Sequence, residues 1–64
     1  MKARGVVEER PAGQPFPKGV RMVDGPHEGL SFVLEGFARI GDTVEVEYEP
    51  DDQFARVVRS TTKG

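Results

Sequence analysis

Residues 43–49 read Thr-Val-Glu-Val-Glu-Tyr-Glu. Val44, Val46 and Tyr48 alternate without a break against Thr43, Glu45, Glu47 and Glu49. A period of two places the two sets on opposite faces of an extended strand, and a helix cannot separate them this way. A strand with one apolar and one acidic face must bury the first and wet the second. The chain therefore has to build a sheet around Val44, Val46 and Tyr48. It has only 64 residues to do so. That length is one small domain spanning 1–64, and such a domain buries only about 60% of its unfolded surface. The absence of Cys removes disulfides, zinc–thiolate sites and thiol chemistry as staples or functions.

The other segments supply the partners of that strand. Residues 2–10 predict a first strand in which Ala3, Gly5 and Val7 alternate with Arg4, Val6 and Glu8, and either set can face inward. Residues 10–19 hold three prolines and two glycines and form the longest loop. Phe16 is its one large apolar residue, so it either pins the loop to the core or reaches a partner. Residues 20–24 and 30–35 predict a hairpin across the turn at 24–29, where Gly and Pro supply turn geometry. Val20 and Met22 share one face, and Leu30, Phe32 and Leu34 another. Residues 36–42 connect onward. Phe37 and Ile40 are spaced for one helical or 3₁₀ turn that caps the barrel. After the strand at 43–49 and a turn at 50–53, residues 54–60 return as the last strand, and 61–64 form a frayed tail.

A four-residue loop at 50–53 sets the register of the final hairpin. Glu47 then faces Arg56 as a cross-strand ion pair, and Tyr48, Val46 and Val44 face Ala55, Val57 and Arg59. The same register leaves Phe54 and Val58 among the carboxylates. The expected fold class is all-β: a small five-stranded antiparallel barrel, SH3-like, with an OB-like barrel as the alternative. The expected core is Val7, Val20, Met22, Leu30, Phe32, Leu34, Phe37, Ile40, Val44, Val46, Tyr48 and Val57. With no staple available, net stability is small, and a homodimer through an exposed strand edge is an open option.

Two stretches carry family resemblances. Residues 19–30, Gly-Val-Arg-Met-Val-Asp-Gly-Pro-His-Glu-Gly-Leu, resemble the opening of a KOW segment, with its Val-Arg strand followed by a Gly-Pro turn. KOW segments belong to SH3-like barrels of transcription elongation factors and ribosomal proteins. The same stretch resembles short phage and prophage proteins with a related turn. Residues 40–48 together with 56–58 are similar to the closing hairpin of OB-fold proteins, such as bacterial translation initiation factor one and cold-shock domains. These resemblances imply nucleic-acid binding and a phage-like or translation-related setting.

Charge divides the chain unevenly. Residues 40–53 hold six acids and no base, residues 54–64 three bases and no acid, and the whole chain has a formal charge of −2. No global positive field draws in nucleic acid. The leading functional expectation is a non-enzymatic protein–protein module. It docks a partner through the acidic strand face of Glu45, Glu47 and Glu49 with Phe54 and Val58. The alternative is an RNA or single-stranded DNA surface built from Lys18, Arg21 and Arg39 with Phe16 or Phe37 as stacking residues. His27 is a lone turn histidine without an orienting partner or nucleophile, so no catalytic residue is assigned. Asp51 and Asp52 lack the ligand spacing of a calcium loop, so no metal or cofactor is assigned either. The loop at 11–17 has no P-x-x-P spacing. No apolar run reaches the ~20 residues of a membrane span, and a cytoplasmic location is expected.

Overall fold

The computed structural model describes residues 1–10 and 16–60. The expected loop at 11–15 and tail at 61–64 lie outside the described residues. Five strands form: β1 (Lys2–Glu9), β2 (Lys18–Met22), β3 (Ser31–Glu35), β4 (Thr43–Tyr48) and β5 (Phe54–Ser60). They close into a barrel in the order β1-β2-β3-β5-β4. The chain is thus the small five-stranded β-barrel that its alternation dictates. Four junctions are antiparallel, and the β3–β5 junction is parallel. Closure gives every strand a neighbour on both sides. A dimer through a free strand edge would have to open one of these junctions.

The open register of β1 resolves to Ala3, Gly5 and Val7 facing inward. Gly5 is required by space. A Cβ there would lie 2.5 Å from Val20 Cγ2 and 2.8 Å from the Arg21 carbonyl oxygen. The core then assembles from Val7, Val20, Met22, Phe32, Leu34, Val44, Val46 and Tyr48, with Ala3, Ala38 and Ala55 filling the narrow places and Val57 packed against it.

Three expected core residues are not core. Leu30 is 51% exposed. It precedes β3 and lies in the turn, and the space over Tyr48 is taken by His27, whose ring meets Tyr48 edge-on with centroids 5.6 Å apart. Phe37 is 87% and Ile40 52% exposed. No helical turn forms at 36–42. The connector is drawn onto β1 instead: the Val7 N–H donates to the Asp42 carbonyl and the Gly41 N–H to the Val7 carbonyl, both at 2.8 Å. With the backbone held there, Ala38 is the residue that points in, and the two larger side chains point out.

The final hairpin follows the expected register for Tyr48–Ala55, Glu47–Arg56 and Val46–Val57. It then breaks. A β-bulge leaves Val58 as the extra residue, so that Arg59 faces Glu45 and Ser60 faces Val44. The expected Val44–Arg59 pairing is therefore absent, and the arginine is moved from the core side to the outer side.

Candidate binding surfaces

The bulge changes the chemistry of the acidic face. On the outer side of β4, Glu45 is 3.9 Å from Arg59 and Glu47 is 3.4 Å from Arg56. On its other flank, β1 sets Arg4 opposite Glu45 and Lys2 opposite Glu47. The carboxylate stripe thus runs between two cationic rows. Each exposed pair contributes about 0–1 kcal/mol. Their larger effect is to neutralise Glu45 and Glu47 as docking charges.

One acidic region escapes this neutralisation. A hollow of about 290 Å³ lies over the start of β5, lined by Glu35, Glu47, Glu49, Asp52, Phe54 and Arg56 along with Tyr48. Asp52 is held as a turn cap: its Oδ1 accepts from the Gln53 and Phe54 N–H groups at 2.7 and 3.3 Å. No cation among the described residues pairs with Glu35, Glu49 or Asp52. Of the five residues expected on the acidic surface, Glu47, Glu49 and Phe54 meet in this hollow. Glu45 is tied to Arg59 farther along, and Val58 sits on the bulge, 46% exposed. Phe54 is covered on one side by Phe16, whose ring stands edge-on at 5.3 Å. Phe16 therefore packs on the outside of the barrel, 42% exposed, and not in the core.

Sequence reasoning missed Glu35 and Asp52. Glu35 enters the hollow only because β3 and β5 run parallel with Glu35 opposite Arg56, a pairing with no local signature. Asp52 carried a signal: an Asp in a turn accepts from the N–H groups that follow it.

The cationic residues expected to bind nucleic acid separate into two groups. Arg21 lies on the outer face of β2 and is paired with Glu8 at 3.2 Å. Lys18 and Phe37 come together at one barrel end. The Lys18 ammonium donates to the Ala38 carbonyl at 2.6 Å and stands 5.7 Å from the Phe37 ring centroid. Arg39 is exposed two residues on, its N–H bound to Asp42 Oδ2 at 3.0 Å. No carboxylate among the described residues pairs with the side chains of Lys18 or Arg39. The end is a cation-flanked aromatic tip.

The opposite end is fastened by side chains. Asp24 accepts from the Arg4 N–H at 2.9 Å and from Arg4 Nε at 2.8 Å. These bonds, the backbone one foremost, hold its carboxyl below the ordinary 3.8. His27 Nδ1 lies 3.0 Å from the Tyr48 hydroxyl and gives that buried group its partner. His27 is thus a structural plug at this end.

A second hollow of about 330 Å³ lies on the outer face of β2 and β3, where Gly19 and Val33 form the floor and Glu8, Arg10, Ser31 and Gln53 the walls. Its charges are mixed. Among the described residues, no group of three His, Asp or Glu is placed to hold a metal ion. No helix among the described residues is long and apolar enough to cross a membrane. Known protein families, curated proteins and solved structures provide no match to this chain.

Proposed function

We propose that this chain is a non-enzymatic binding module that docks a cationic segment of a protein partner in the hollow over β5. The observation that carries this reading is that the carboxylates of Glu35, Glu49 and Asp52, which no cation among the described residues pairs with, lie around Phe54. An arginine or lysine entering there meets several carboxylates and an aromatic wall, the combination that favours a cation over a neutral group. Glu45 and Val58, beyond the bulge, are left outside the docking site. The test is titration with a short Lys/Arg-rich peptide. Binding should weaken with salt, because exposed charges are screened, and should be lost in Glu49→Lys. Equal affinity in Glu49→Lys and the parent would reject the site.

A second reading is nucleic-acid binding, favoured by the exposed Phe37 ring beside Lys18 and Arg39. We infer that the barrel is of OB type, because the order β1-β2-β3-β5-β4 with a parallel β3–β5 junction gives the Greek-key closure of that barrel. Base stacking on an exposed aromatic is worth about 1–3 kcal/mol per base. Loss of single-stranded oligonucleotide binding in Phe37→Ser, with a salt-dependent affinity in the parent, is the expected outcome. No binding by the parent at low salt would remove this reading.

A further inference from the structure

The cation-flanked tip meets one edge of the acidic hollow through the chain. Glu35 lines the hollow, Phe37 is the tip, and a single residue separates them. That residue, Gly36, has φ 122°, and a Cβ on it would lie 3.1 Å from Val57 Cβ on β5, the strand that carries Phe54 and Arg56 into the hollow. The projecting aromatic with its two cations therefore adjoins the Glu35 edge of a recess whose far edge holds Glu49 and Phe54, and among the described residues no cation pairs with Glu35 or Glu49.

A surface with a projection and its complementary recess side by side is self-complementary under a two-fold axis. In such a contact residue i meets residue j of the second copy, and j meets i. We propose that the occupant of the hollow is a second copy of this chain, with Phe37, Lys18 and Arg39 of each copy seated against Glu35, Glu49 and Phe54 of the other. The inference rests on the hollow being a receptor for cationic segments, and it names the segment.

Three observations carry it. First, Phe37 is the most exposed large apolar residue described, at 87%, with the Lys18 ammonium beside its ring. Second, the charges are complementary and not cancelled by opposite charges: Lys18 and Arg39 have no carboxylate partner, and Glu35 and Glu49 no cation, among the described residues. Third, the overall charge of −2 puts little repulsion between two copies. The area required is attainable. A standard interface takes about 800 Å² from each partner, about a fifth of the 4334 Å² accessible here. The contact uses side chains rather than strand pairing, so the closed barrel does not oppose it.

The experiment is sedimentation equilibrium of the full chain over a concentration series at low salt and at ~1 M salt, where the Debye length falls to about 3 Å. The parent should dimerise at low salt and dissociate at high salt. Arg39→Glu and Glu49→Arg should each weaken the dimer by about tenfold or more, since each places like charges together twice in a symmetric contact. An equimolar mixture of the two variants should recover association, because both contacts of the mixed dimer are then complementary. Phe37→Ser should also be monomeric.

A parent that stays monomeric throughout would overturn the proposal. So would a mixture no more associated than either variant alone, or a dimer indifferent to Phe37 and to both reversals. Circular dichroism of each variant establishes that it is folded. The peptide titration separates the two readings. A hollow that binds basic peptide in a protein that never self-associates leaves the docking site intact and removes only the second copy. Adding a single-stranded oligonucleotide should dissolve the dimer if the Phe37 tip also takes bases. An oligonucleotide bound to an undiminished dimer would overturn the placement of Phe37 in the interface.

Discussion

The two connectors that cap the barrel, 23–30 and 36–42, are of similar length and both show an aliphatic side chain to solvent, Leu30 and Ile40, but they treat their ring side chains in opposite ways. The first turns its ring inward. Asp24 is bracketed by two Arg4 donors, and His27 reaches the buried Tyr48 hydroxyl. The second is held to β1 by backbone bonds and to Lys18 through the Ala38 carbonyl, and it shows Phe37 and Ile40 to solvent. Both are well tied, so exposure of Phe37 does not arise from a loose loop. It follows from an attachment that uses backbone and an alanine, leaving the aromatic free of any folding role. A barrel this small can close one end over a ring and leave the ring at the other end in solvent.

Four substitutions break or sharpen that contrast, and the largest effect falls in the wall both ends share. Gly5→Ala places a methyl against Val20 and against the Arg21 backbone. The backbone cannot move aside cheaply, so a loss of about 1–3 kcal/mol or outright unfolding is expected in urea denaturation.

At the inward-turned end, His27→Ala leaves the Tyr48 hydroxyl, on a residue only 3% exposed, without its partner. The expected cost is about 1–3 kcal/mol. Adding Tyr48→Phe should recover part of it, since the orphaned group is then gone. If the double variant is as unstable as the sum of the singles, the hydrogen bond is not what His27 contributes.

Asp24→Asn should have a smaller effect with a distinctive pH dependence. The folded-state carboxyl lies below 3.8, so its contribution is fully present above about pH 4. It is lost as pH falls through the depressed value. The parent and Asp24→Asn should therefore differ in denaturation midpoint at neutral pH and converge in strong acid. A difference that persists at the acid end would reject the linkage.

At the outward-turned end, Phe37→Ser should change stability by no more than about 0.5 kcal/mol, as for an exposed residue without a structural role. Thermal melting checks this directly. A loss as large as that of His27→Ala would erase the contrast between the two connectors.

How far the sequence foretold this arrangement depends on how local the cause was. The alternation in β2, β3 and β4 identified their inward residues because period two has one physical reading. The register at Glu47–Arg56 followed from the length of the turn, and it brought Glu47, Glu49 and Phe54 to one place. The bulge at Val58 was illegible. No residue type marks it, and its consequence, Arg59 turned onto Glu45, neutralised part of the expected docking face. Phe37 and Ile40 matched a helical spacing by coincidence, because the connector's conformation is set by β1, some thirty residues earlier in the chain. Glu35 joined the hollow through a parallel junction that only the whole barrel determines.

An exposed phenylalanine on a β protein normally invites strand-by-strand accretion, because open ladders beside it offer amide groups for another chain to copy. In this molecule the ladder runs around a complete hoop, from β1 through β3 and β5 back to β4. Each strand is paired on both sides within the hoop. Phe37 can therefore be held out in water without a free ladder beside it to seed fibres, and any contact it makes is left to side chains.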